Sequence, residues 1–203
     1  MNIARRFAGL LFFLAGLQWL VLVFIAESFF PNYSVNANTL SDLAATVAPN
    51  TGVVEPSAGL FNAAMMGLGG AIIASGLLLQ LSYRKKYFTF FAVVFGAACT
   101  LVGVFPPDTG AIHDTIALVA FIFGPLTAIA AYQMERGLLR YLSVAIGLGA
   151  LVPVTMHLVL GDASPIRALM GPGGEERLIV YPLLVWVTGF GGYLIGPPPE
   201  AEE

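Results

Sequence analysis

Six long apolar runs alternate with polar stretches along the chain, at about 7–26, 60–81, 88–105, 112–132, 141–160 and 178–195. Each is close to the ~20 residues that a helix needs to cross a bilayer core. In lipid such runs must be helical, because every backbone N–H and C=O then finds its partner inside the segment. The pattern predicts an all-α fold: a polytopic, transmembrane six-helix bundle, one domain over 1–203. The polar stretches are unequal. The first, 27–59, is long and rich in Asn and Ser. The stretch after the third run is the hairpin Gly103-Val-Phe-Pro-Pro-Asp-Thr-Gly-Ala-Ile-His-Asp114. The stretch after the fifth, 161–177, contains Gly171-Pro-Gly-Gly174, which reads as a flexible breaker.

Basic residues orient the bundle. Arg5, Arg6, Arg84, Lys85, Lys86, Arg136 and Arg140 fall on one side, and Arg167 and Arg177 on the other. By the positive-inside rule both termini are cytoplasmic and the long stretch 27–59 is an outer loop. The acidic tail 197–203 is then cytoplasmic, and the chain is expected to be multi-pass in the cytoplasmic membrane. The first run follows Arg5-Arg6 as a signal peptide would. It is longer than a signal core, and Ile25-Ala-Glu-Ser28 is a poor cleavage site, so it reads as a retained span.

Composition agrees. The chain is 58% hydrophobic and 10% charged, with a mean hydropathy of +0.84, whereas soluble domains carry about 25% charged residues. No basic patch suggests nucleic acid. Cys99 is the lone cysteine and cannot form an internal disulfide. Gly67-Leu-Gly-Gly70, Gly147-Leu-Gly149 and the GxxxG of Gly192 and Gly196 suit close helix packing, within the bundle first and toward other membrane subunits as an alternative. Pro125 and Pro153 are expected to kink their spans.

Ionisable groups at membrane depth are costly, and are functional suspects for that reason. Topology gathers His113, His157, Asp42, Asp108, Asp114, Glu27 and Arg177 at the outer end. His113, His157 and one of Asp42, Asp108 or Asp114, with Asp42 put first, would make a two-histidine, one-carboxylate zinc set able to activate water. There is no HxxxH or HExxH spacing, so no cofactor is firmly implied. The favoured expectation is that each histidine bonds a carboxylate or a loop carbonyl. Ser41 and Asp42 suit a helix cap in the first loop. Asn62 suits a cross-link between helices. Arg177 suits an ion pair with Asp42 or Asp108, or a lipid phosphate.

Tyr33-Ser34, Asn38-Thr-Leu-Ser-Asp-Leu43, Gly59-Leu-Phe-Asn62, Gly103-Val-Phe-Pro106 and His113, in that order, resemble one family. It is the domain-of-unknown-function family 998, six-span membrane proteins of bacteria and archaea. The architecture is more loosely similar to the FRAG/DRAM/SFK group, whose members are linked to membrane-lipid regulation. The resemblance implies a six-helix bundle with an outward polar site built on Asn38, Ser41, Asp42, Asn62 and His113. Topology adds Asp108, His157 and Arg177 to that ligand-binding set. The resulting expectation is a protein that binds a membrane lipid or small ligand without turnover. A metal-dependent hydrolase of lipid esters or amides and an accessory subunit of a larger complex are the alternatives.

Overall fold

The computed structural model describes residues 3–46 and 52–197. The acidic tail lies outside them from residue 198 onward. Six helices follow in order: α1 Ile3–Phe29, α2 Ser57–Tyr83, α3 Lys86–Val104, α4 Ala111–Ala131, α5 Leu138–Leu160 and α6 Pro165–Ile195. All six are long and apolar enough to cross a membrane. Each packs on its chain neighbours, and α6 closes back on α1, so the helices form a ring; α4 also touches α6 across it.

Helix α1 shows why this ring needs lipid around it. Ala8, Phe12, Ala15, Trp19, Val23 and Ala26 are buried against neighbouring helices. Phe7, Leu10, Leu14, Leu17, Val21 and Phe24 form a second stripe on the opposite side and are exposed. Both stripes follow the helical period and both are apolar, which water would not tolerate on the outer one. The inward stripes meet in an aromatic cluster. Phe190 packs edge-on against Phe12, with ring centroids 5.4 Å apart, and stacks on Trp186 at 5.3 Å.

Backbone contact is closest where glycines face one another. A Cβ on Gly9 would lie 2.8 Å from the Gly191 carbonyl oxygen, and one on Gly191 would strike the Phe13 backbone. Gly69 and Gly96 do the same for α2 and α3, and Gly147 sits against the Pro125 carbonyl for α5 and α4. The GxxxG reading shifts here by one residue. Gly192 faces open space, and Gly191 makes the α1–α6 contact. Pro125 and Pro153 both lie inside unbroken helices. The interruption falls instead at Gly171, with φ 75° and ψ 174°, a conformation open to glycine.

The stretch 161–177 is therefore a helix start and not a flexible breaker. A short turn over Gly161–Ala163 leads to Ser164, whose Oγ accepts from the Arg167 N–H. After the break at Gly171, Pro172 opens the long part of α6, a position where its missing N–H costs nothing.

The two ends of the ring differ. At the end carrying Arg5, that side chain is buried and donates to the Tyr83 hydroxyl and to the carbonyls of Tyr193 and Gly196. It thus ties the start of α1 to the ends of α2 and α6 and satisfies orphan carbonyls at the α6 terminus. Nearby, in the α4–α5 link, Glu135 is buried. Its Oε1 accepts from the Ser143 hydroxyl, which itself accepts from the Trp186 indole N–H, while Oε2 has no partner.

Two outcomes are expected. Gly191→Ala should lower the thermal stability of the detergent-purified protein by about 1–3 kcal/mol through overpacking, whereas Gly192→Ala should leave it unchanged. Equal melting of the two variants would contradict the α1–α6 contact. Burial pushes the Glu135 carboxyl up from 4.5 to about 7, against the lowering effect of its Ser143 bond. The folded chain then holds the proton more tightly than the unfolded chain. This contribution is complete below pH 4.5 and is lost as pH rises through about 7. Melting temperatures across that range should fall with pH in wild type and lose this slope in Glu135→Gln.

Candidate functional site

The loop after α1 is folded by its own side chains. The Asn38 amide oxygen accepts from the Ser34 N–H, and its Nδ2 donates to Asp42 Oδ2. That carboxylate also accepts from the Thr39 N–H at 2.9 Å, while the Asp42 N–H donates to the Thr39 hydroxyl. The short helical turn Ser41–Ala44 has Leu40 at its N-cap and no side-chain cap, so neither Ser41 nor Asp42 caps it as the sequence suggests; Asp42 lies inside the turn and reaches back to Thr39. Asp108 works similarly at the hairpin. It accepts from the Thr46 N–H at 3.1 Å and from the Thr46 hydroxyl at 2.8 Å, joining hairpin to loop.

Arg177 anchors this loop to the bundle. Its Nη1 donates to the carbonyls of Val35, Asn38 and Gly173, and its Nη2 to Glu27 Oε1 at 2.9 Å and the Tyr33 hydroxyl at 2.7 Å. Its partner is therefore Glu27 at the end of α1, not Asp42 or Asp108. Tyr33 passes the link on, donating to the Thr39 carbonyl. Burial raises the Tyr33 phenol above its ordinary range despite the adjacent guanidinium, which keeps that donor in place. The glycines of Gly171-Pro-Gly-Gly174 let the loop lie flat on α6. The Gly173 N–H donates to the Asn36 carbonyl, and a Cβ on Gly171 or Gly173 would strike loop carbonyls.

Under this anchored loop lie two adjoining cavities. The outer one has a volume of about 360 Å³ and is bounded by α4, α5, α6 and the loop. Its polar lining is Thr39, Ser41, His113, Asp114, His157, Arg167, Glu175 and Glu176. The inner one is about 60 Å³ and is lined by apolar groups such as Trp19, Phe61, Met65, Phe95 and Cys99. Ser41, His113, Ala117, Phe121 and Glu176 line both, so they form the neck between them.

His113, in the first turn of α4, is 4% exposed. Its Nδ1 lies 2.8 Å from the Phe105 carbonyl oxygen. A carbonyl can only accept, so Nδ1 carries the hydrogen, and in the neutral ring Nε2 is left with its lone pair. His157 is half exposed, with Nδ1 3.4 Å from Glu175 Oε2. Both rings thus have the carbonyl or carboxylate partners that the sequence suggests. Glu175 is buried. Its Oε1 accepts from the Ser164 hydroxyl at 2.5 Å, and its Oε2 lies 3.7 Å from Arg167 Nη1. Arg167 also pairs with Asp162 at 3.1 Å. Glu176 Oε2 accepts from the Leu40 N–H at 2.6 Å, bringing loop and neck together.

Of the residues marked out by sequence, Ser41, His113, Asp114 and His157 share one cavity. Asn38, Asp42, Asp108 and Arg177 build and hold the loop above it and are not part of its lining. Asn62 is not on the lining either, and its Oδ1 is buried without a partner. Among the described residues no three His, Cys, Asp or Glu side chains come together as a metal site, and Asp42 is occupied by the loop. Glu175, Glu176 and Arg167 are site residues that the sequence reading passed over. The signal was present: two acids directly after Pro172-Gly-Gly174 mark the first turn of a helix.

Arg177→Gln is expected to destabilise the protein by roughly 3–5 kcal/mol, since it strands Glu27 and several loop carbonyls. Arg177→Lys should recover only part of this, because one ammonium cannot reach the same set of acceptors. Thermal unfolding together with limited proteolysis within 30–46 would show it. A protease-resistant loop in Arg177→Gln would refute the anchoring role.

Neither a curated protein nor a solved structure matches the chain. The family model described as "Protein of unknown function (DUF998)" matches residues 13–193. With that match spanning nearly the whole ring of helices, the chain belongs to this family of membrane proteins.

Proposed function

We propose that the protein binds an amphiphile, with the polar end in the outer cavity and the slimmer apolar end in the inner one. The observation that carries this reading is the neck. Ser41, His113 and Glu176 stand where a polar lining changes to an apolar one, at one end of a ring whose outer surface is apolar. A water-soluble ligand would have no use for the inner cavity, and a pure hydrocarbon none for the outer. A few polar groups in an otherwise apolar concavity is the usual make-up of a small-molecule site. The inner volume is well below the ~150 Å³ that admits benzene in an engineered cavity. It therefore suits a narrow chain end and no ring. The basic-residue bias would set this end of the bundle on the outer face, with both termini cytoplasmic. No turnover is part of the proposal.

The test is mass spectrometry of lipid and metal retained by detergent-purified protein, wild type beside Ala117→Trp, which plugs the neck. Wild type is expected to carry one amphiphile per chain, and the monodisperse variant none. A wild-type protein without bound amphiphile, or a variant that keeps it, would end this reading. Stoichiometric zinc, lost in His113→Ala, would favour the metal-dependent hydrolase instead.

A further inference from the structure

The charge arrangement of the outer cavity selects among amphiphiles, and this step rests on the binding reading above. Three carboxylates line the cavity: Asp114, Glu175 and Glu176. Its one guanidinium, Arg167, is already shared between Asp162 and Glu175. Arg177 points the other way and is consumed by Glu27, Tyr33 and three carbonyls. The start of the long part of α6 would attract an anion, but Glu175 and Glu176 supply that charge from the chain itself.

Hydrogen-bonding capacity points the same way. His113 is buried and lines both cavities, and its Nδ1–H is given to Phe105. Its Nε2 can then only accept in the neutral ring. Glu176 spends Oε2 on the Leu40 N–H, and Oε1 accepts from nothing among the described residues. Asp114 is exposed and lines the cavity, and its carboxylate accepts no hydrogen bond among the described residues. Among the described residues the neck and its rim thus offer at least three open acceptors, and the one guanidinium of the lining is already paired.

We infer that the polar end of the ligand is an ammonium group, seated among Glu176, His113 Nε2 and Asp114. An ammonium has three donors and no acceptor, which matches this lining. A carboxylate or phosphate would meet three carboxylates and one guanidinium that is already paired with Asp162 and Glu175, so like charges outnumber the counter-charge. A hydroxyl could bond there but would leave the carboxylates uncompensated.

The measurement uses Trp19, which lines the inner cavity and is buried. Three amphiphiles, 11-bromoundecylamine, 11-bromoundecanol and 11-bromoundecanoate, are titrated into the full chain in neutral phosphatidylcholine nanodiscs. The bromine quenches tryptophan on contact, and Trp19→Phe assigns the signal. The amine is expected to quench saturably, at least about tenfold more tightly than the carboxylate, the scale of one lost charged hydrogen bond. Glu176→Gln, which keeps an acceptor for Leu40, should weaken the amine about tenfold and bring it level with the alcohol. Asp114→Asn is the second variant: that carboxylate accepts no hydrogen bond among the described residues, and the change should weaken the amine in the same direction. Equal quenching by all three, or preference for the carboxylate, would overturn the ammonium assignment while leaving the amphiphile reading in place. Quenching by none would remove both.

Discussion

A buried guanidinium organises the loop end of this protein. Arg177 holds the end of α1, the loop that follows it and the start of α6 in one bonded set. Its position is costly unless every donor is met, and a charge at that depth stays only where partners are fixed. The glycines at 171 and 173 are part of the same constraint. They let loop carbonyls come close enough to α6 to be shared by Arg177. Once the loop is held there, Leu40 and Ser41 are placed over the interior, and the cavities acquire a roof.

The neck follows from that roof. Glu176 precedes Arg177 in α6, so the two side chains leave the helix about 100° apart. One faces the loop and the other the interior, and one helix turn therefore anchors the loop and equips the cavity. His113 enters from α4, held by the carbonyl of Phe105 at the far side of the hairpin. The polar lining thus comes from three separate parts of the chain.

The rest of the bundle is simpler. Close glycine contacts bring α1 to α6, α2 to α3 and α4 to α5. Dispersion over such contacts holds helices together where no hydrophobic drive exists between them. Helix α5 is the least enclosed: 22% of its apolar window is buried, against 39–44% for the others. It forms one wall of the outer cavity through Val154, His157 and Leu158. A wall with few contacts is the one that can shift with least disruption.

Hydropathy by itself determined the class and the number of helices, because a bilayer leaves a twenty-residue apolar run no other structure. It also placed His113 at the start of α4, a local matter of spacing. The tertiary structure decided everything that joins distant residues. Asp108 and Arg177 appear in the sequence as polar groups at one end, equal to His113 in promise. Folding spends them on Thr46 and Glu27, and leaves His113 and His157 at the cavity. Glu176 went the other way, from a residue in a charged run to the centre of the neck. Composition cannot tell these cases apart. Whether a polar side chain is free depends on which carbonyls and carboxylates come within about 3 Å of it, and chain order does not set that distance.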